Sequence, residues 1–258
     1  MEILGHDQIL NYLNNCVKSD RIANAYIFSG PANIGKKMTA TWLADVLCKG
    51  NKNNITVVNE DGKVNIDQVR GLIEKYSLSS FDGEKKVIII DNAESISENC
   101  YNALLKNIEE SGLKTIYILV SSNYYQVIDT IRSRCQRVNF IQPCIDIIRQ
   151  NINHHDLEKI IEISSGKIGH VIQCVNDEDY AEKLEKNHIS SQKILEGKLY
   201  EKILVDSDDF DIDSYEYLFN KKIKMDFKAV TEQYERLKKC LIKEKFSANK
   251  NLKDYLYL

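Results

Sequence analysis

The chain has 258 residues, of which 43% are hydrophobic and 28% charged, with two prolines and 11 glycines. That composition excludes a stapled mini-protein and a disordered or collagen-like chain, and at roughly 150 residues per domain it predicts about two folded domains. Thirty-five basic against 38 acidic side chains leave a net charge of −3, which excludes a protein that holds nucleic acid by a strong overall positive field. Any DNA contact is expected to be local or shared.

No apolar stretch approaches the roughly 18 residues that span a bilayer; the longest runs, such as Val87 to Ile90, are strand-sized. No membrane association is expected. The first seven residues, from Met1 to Asp7, lack a basic segment followed by an apolar core, so they do not read as a secretory signal, and the expected location is cytoplasmic. Seven cysteines, at 16, 48, 100, 135, 144, 174 and 240, are scattered without a C-x-x-C pair. This disfavours a disulfide framework and a tetrahedral zinc site and leaves most of them as buried thiols.

Taken in chain order, the first 143 residues alternate short β-branched runs with helical patterns, which predicts a parallel sheet flanked by helices. The strands fall at Ala25–Ser29, Ile55–Val58, 87–91, Thr115–Ser121 and 137–141, short and mostly apolar as expected for strands covered on both faces. Between them, apolar residues recur at three and four over 36–48 and over 66–76. A further helix opens at Ser95-Ile96-Ser97-Glu98, a capping-box pattern, presents Tyr101, Leu104, Leu105 and Ile108 on one face, and is expected to end near Gly112. Pro143 marks a boundary, because proline cannot donate to a ladder. Beyond it the strands stop. Short helices at 145–150, 157–164 and 169–175 form a small unit over 144–178, and helical patterns at 183–204 and 227–246 form a third, all-helical unit over 179–258, interrupted by an acidic stretch at 206–213.

Directly after the first strand stands Gly30-Pro31-Ala32-Asn33-Ile34-Gly35-Lys36-Lys37, which fits G-x-x-x-x-G-K-[ST] except at its last position. Glycines let the backbone N–H groups turn inward, the following helix offers its positive end, and the lysine reaches the outer phosphates, so Gly30, Gly35 and Lys36 are candidate phosphate ligands. The third strand ends in Asp91, placed where a phosphate-loop protein holds its metal. Two departures stand against metal-dependent hydrolysis. Lys37 occupies the place of the hydroxyl that ligates Mg²⁺, and Asn92 that of a carboxylate orienting the attacking water.

The segments Gly5-His6-Asp7-Gln8-Ile9-Leu10, Arg21 to Gly30, Asn102-Ala103-Leu104-Leu105-Lys106-Asn107-Ile108-Glu109-Glu110 and Ser133-Arg134-Cys135 resemble, in order, those of the clamp-loader subunits of the AAA+ superfamily. The resemblance covers the first 143 residues. It implies a five-stranded parallel α/β phosphate-loop domain at 1–143, a helical lid at 144–178 and an all-α collar-like domain at 179–258. It further implies that Arg134, with Ser133 and Cys135, forms a finger pointed across a subunit boundary at a neighbour's ATP, where a guanidinium stabilises charge on the γ-phosphate. By the same resemblance, Ser121 and Ser122 stand where the family senses that phosphate. His170, in Ser165-Gly166-Lys167-Ile168-Gly169-His170, stands where a lid arginine would touch ATP, a third departure. The four-cysteine zinc insertion of many members is missing between Cys48 and Ile55.

The implied function is that of a non-hydrolysing clamp-loader subunit in DNA replication. No cofactor is required, with ATP or ADP held weakly at most and without productive magnesium. The implied partners are a gamma/tau-like ATPase, a delta-like subunit, and the sliding clamp and primed DNA through the assembled complex. An ATP-hydrolysing motor subunit using Lys36 and Asp91 is the alternative. A small-molecule phosphate-loop kinase explains the loop but not the S-R-C tripeptide.

Overall fold

A computed structural model of the chain describes residues 3–58, 71, 85–110, 115–196, 217 and 218. The predicted helix at 66–76 apart from residue 71, positions 197–204 of the predicted helix at 183–204, the acidic stretch at 206–213 and the helix at 227–246 lie outside the described residues. The chain divides into two compact units, Met1–Asn151 and Ile152–Leu258.

In the first unit, α1 (Asp7–Lys18) leads into β1 (Ala25–Ser29), α2 (Lys36–Leu47), β2 (Ile55–Val58) and β3 (Lys86–Ile90). These are followed by α3 (Glu98–Glu110), β4 (Thr115–Ser121), α4 (Asp129–Arg132), β5 (Gln136–Asn139) and α5 (Ile145–Asn151). The strands form a parallel sheet in the order β2-β3-β4-β1-β5, with Ala25 level with Tyr117 and Tyr26 level with Gln136.

Within the buried runs the twofold alternation of a strand sorts side chains onto two cores. Tyr26, Phe28, Val87, Ile89, Ile118 and Val120 turn to a core shared with Leu13 of α1 and Leu43 and Leu47 of α2. Ala25, Ile27, Ile88, Ile90, Tyr117 and Leu119 turn to a core shared with Cys100, Tyr101, Leu104 and Ile108 of α3. β1 and β3 are buried throughout, as strands covered on both faces should be. The edges differ from the expectation of full cover. β2 is half-buried along its length, and in β5 only Val138 is buried, because each has one neighbour and less cover.

Three local expectations shift. β3 and β5 each begin one residue earlier than their patterns suggested, and β5 stops at Asn139. The capping box at Ser95 does not form: α3 starts at Glu98, and the Ser95 hydroxyl donates instead to the Asn92 carbonyl at 2.8 Å. Pro143 is a wall of the first unit. Gly5, at φ +80, lies so close that a Cβ there would stand 2.5 Å from the proline Cβ, and α5 beyond it stays with the first unit.

The second unit contains α6 (Leu157–Ile163), α7 (Ile168–Asn176) and α8 (Glu178–Glu196). α8 packs on both α6 and α7, so the helix that opens the expected third unit is joined to the second. Among the described residues, no helix is long and apolar enough to cross a membrane, and no group of three or more His, Cys, Asp or Glu is placed to hold a metal ion.

Candidate functional site

The turn from β1 into α2 is held from three directions. The Gly30 N–H donates to the Ser121 carbonyl at the end of β4 (3.3 Å), and the Phe140 N–H donates to the Ser29 carbonyl (2.7 Å). From below, the buried His6 donates through Nε2 to the Ile34 carbonyl at 2.6 Å, its ring edge-on to Phe140 at 4.9 Å. Two glycines are required for conformation. Gly30, at φ +153, leaves no room for a side chain, since a Cβ would lie 2.3 Å from the Phe140 carbonyl oxygen; Gly35, at φ +100, caps α2 and accepts from the Thr39 N–H and hydroxyl, each at 3.0 Å.

Lys36 is buried, and its ammonium donates to the Gly30 carbonyl at 2.7 Å and to the Pro31 carbonyl. Lys37, one residue on in the first turn of α2, reaches across to the end of β3 and ion-pairs with Asp91 at 3.2 Å. The carboxylate side chain is 15% exposed and the lysine side chain 43%. Asn92 follows at φ 45, a left-handed position that asparagine tolerates, with its N–H on Asp91 Oδ1 at 3.0 Å. The candidate residues Gly30, Gly35, Lys36 and Asp91 are thus gathered at the carboxyl edge of the sheet, where open α/β sheets bind their ligands.

Arg134, Ser133 and Cys135 lie elsewhere. They form the turn between α4 and β5 and therefore sit at the amino edge of the parallel sheet. The register makes Gln136 level with Tyr26 and Asn139 level with Ser29. Arg134 is consequently some six residues back along the strand direction from Gly30, roughly 20 Å at about 3.3 Å per residue. That spacing keeps it from its own phosphate loop.

The Arg134 side chain is 39% exposed. Its Nε donates to the Glu109 carboxylate on α3, and its Nη1 donates to the Thr130 carbonyl at 2.9 Å and to Ser133 Oγ at 3.3 Å. Ser133 in turn donates its hydroxyl to the Thr130 carbonyl at 3.1 Å. Ser133 therefore closes the end of α4 and steadies the guanidinium. Cys135 packs against the α3-side core, and burial pushes its thiol from the ordinary value of 9.0 up to about 12. A thiol held neutral in this way is a packing group, not a nucleophile.

The neighbouring arginines are sorted by contacts that the sequence did not announce. Arg132 and Arg137 both lie over the Tyr124 ring, at 5.0 and 4.0 Å from its centroid, and Arg137 also donates to Ser29 Oγ at 3.0 Å. Ser121 is buried and accepts from the Asn123 N–H at 3.1 Å, while the Ser122 N–H donates to Glu94 at 3.0 Å. His170 belongs to the second unit, where its ring stacks on Tyr180 with centroids 5.9 Å apart and shares a hydrogen bond with the phenol. Sequence reasoning missed His6, Glu94, Glu109 and Tyr124. Glu109 lay in the quoted N-A-L-L-K-x-x-E-E helix and His6 in the opening segment, but their partners are 25 and 28 residues away in the chain.

The strand order, the glycine-bounded loop after β1 and the carboxylate after β3 define a phosphate-loop protein of the AAA+ class. A gamma subunit-related protein of DNA polymerase III from Thermotoga maritima shares the fold at a TM-score of 0.50, with 17% identity over 87% of this chain and 76% of that one. A single-substitution variant of Thermotoga maritima RuvB does so at 0.52, with 14% identity over 85% of this chain and 74% of that one. At these identities the likeness is one of fold.

The family described as DNA polymerase III, delta subunit, matches this chain over residues 5–55 and 47–143, and the chain belongs to that family. It is 27% identical to the DNA polymerase III subunit delta′ of Bacillus subtilis over 69% of this chain and 62% of that protein. It is 28% identical to a gamma/tau subunit of DNA polymerase III from Mycoplasma genitalium (59% of this chain, 29% of that one). It is also 28% identical to a replication factor C small subunit from Haloarcula marismortui (63% and 50%). The chain spans less than two thirds of the length of each of these relatives.

Proposed function

We propose that this chain is a non-hydrolysing, delta′-like subunit of a bacterial clamp loader, which presents Arg134 to ATP held by an adjacent gamma/tau-like subunit. The observation that carries the reading is the position of Arg134. It sits at the amino edge of the sheet, on a surface turn, about six residues of strand rise, roughly 20 Å, from its own phosphate loop. An arginine so placed has no use for nucleotide in its own chain, whereas a neighbour docking on that edge would receive it. Ser133 and the Thr130 carbonyl hold the guanidinium near the surface, so little ordering is left to be done on docking.

Absence of turnover in this chain is supported by Lys37 and Asn92, which replace a metal-ligating hydroxyl and a water-orienting carboxylate. The delta-like subunit, sliding clamp and primed DNA would be met through the assembled complex, in keeping with a net charge of −3.

The test is reconstitution with and without Arg134→Ala. Removing a guanidinium from a γ-phosphate is expected to lower the clamp- and DNA-stimulated ATPase of the assembled loader by about tenfold or more while the complex still assembles. An unchanged ATPase would rule the trans role out.

A further inference from the structure

The Lys37–Asp91 pair is not needed to explain the fold of the loop. Gly30, Gly35 and His6 already fix its path by the contacts described above. What the pair changes is the charge at the one carboxylate that phosphate-loop proteins reserve for a divalent cation. In that arrangement the loop hydroxyl ligates the ion and the strand-end aspartate holds it. Here a lysine stands in the hydroxyl's place, and its ammonium lies 3.2 Å from Asp91 Oδ2. The residues present do not fit a magnesium ion, since an ion at the carboxylate would have to displace the ammonium or sit against it, charge on charge.

We infer that Lys37 is a built-in substitute for the divalent cation: it neutralises Asp91 in cis and makes the phosphate loop of this chain independent of metal. The Lys36 ammonium stays beside this pair, on the Gly30 and Pro31 carbonyls. A polyphosphate taken up here is taken as the free anion, against the Lys36 ammonium with Asp91 already neutralised by Lys37, and its magnesium complex gains nothing. The inference rests on the reading of the chain as non-hydrolysing and adds to it what the Lys37 side chain does at Asp91. Lys37 is a positioning and charge-compensating residue, since it touches Asp91 and not a reacting atom.

The pair is also well placed to persist. Asp91 is mostly covered, with its backbone N–H donating to the Val58 carbonyl at 3.0 Å and its Oδ1 accepting from the Asn92 N–H. The carboxylate is therefore oriented from its own turn before the lysine arrives, which reduces the entropy lost on pairing.

The experiment is calorimetric titration of the full chain with ADP, in magnesium and in EDTA, alongside electron paramagnetic resonance of Mn²⁺ added with ADP. For the wild-type chain, magnesium is expected to leave ADP affinity unchanged or weaker, and no chain-bound Mn²⁺ signal should appear. Lys37→Thr restores a hydroxyl and releases Asp91; it is expected to bind ADP at least tenfold tighter in magnesium than in EDTA and to show bound Mn²⁺. Lys37→Gln, which keeps the stem and loses the charge, is the second variant and should also admit Mn²⁺ to Asp91. Tighter wild-type binding in magnesium overturns the inference, and so does metal indifference of both variants. None of these outcomes bears on Arg134, whose role stands or falls on the ATPase of the assembled loader.

Discussion

At the scale of single residues, the site depends on backbone positions that admit one residue type. Gly30 is the clearest. Its φ of +153 and the 2.3 Å approach that a Cβ would make to the Phe140 carbonyl leave no soft side chain to move aside. Gly30→Ala is therefore expected to destabilise the chain by about 3 kcal/mol or more, through strain and overpacking, seen as a lowered midpoint in urea unfolding. A midpoint within experimental error of the wild type would mean that the β1–α2 turn relaxes at no cost. Asn92 shows the same logic in milder form. It is the residue type that a left-handed turn accepts, where a glutamate would be strained, so the local backbone is in keeping with the proposed non-hydrolysing role.

At the scale of elements, α3 joins two tasks through opposite sides of one helix. Cys100, Tyr101, Leu104 and Ile108 recur at helical spacing and bury against the sheet, while Glu109 stands on the outer side and takes the Arg134 guanidinium from the turn before β5. Both partners of that ion pair are substantially exposed, at 39% and 49% of their side chains, so solvent screens it. A double-mutant cycle of Glu109→Gln and Arg134→Gln, read by urea unfolding of the chain, is expected to give a coupling of about 0.2–1 kcal/mol. A coupling of several kcal/mol would make the pair a structural clasp, at odds with a guanidinium that leaves Glu109 when a neighbour's phosphate arrives.

At the scale of the whole molecule, alkaline pH acts on the cores. Burial raises the thiol of Cys135 from 9.0 to about 12 and the phenol of Tyr117 from 10.0 to about 12, and it raises Tyr101 as well. Below about pH 8 the folded and unfolded chains both keep these protons, so the groups add little pH dependence. Between about 9 and 12 the unfolded chain releases them while the folded chain retains them, so the unfolded state binds fewer protons and stability falls as pH rises. Each such group contributes of order 1 kcal/mol per pH unit within its window. Urea midpoints are expected to be level from pH 7 to about 8 and to drop by about pH 10.5. Tyr117→Phe should flatten the drop, and an equal slope in that variant would show that the phenol titrates as freely in the folded chain as in the unfolded one.

The sequence determined the parallel sheet, the loop and the family, because each rests on local rules. β-branched runs of four to seven residues specify strands, glycines at fixed spacing specify the β1–α2 turn, and Asn102 to Glu110 with Ser133 to Cys135 are contiguous words of the family's pattern. It even located Lys37 and Asn92 as departures. What it could not determine is which side chains meet across the chain. Lys37 and Asp91 are 54 residues apart and come together only because β3 and the start of α2 end on the same edge of the sheet. Arg134 is separated from its own loop by the strand order and register, and is held by Glu109 because α3 and the α4–β5 turn happen to adjoin. The same holds for His6 beneath Ile34 and for Pro143 against Gly5. Local propensity acts within a few residues, whereas charge compensation, burial and presentation of a guanidinium depend on through-space distances that exist only once the sheet has closed its order.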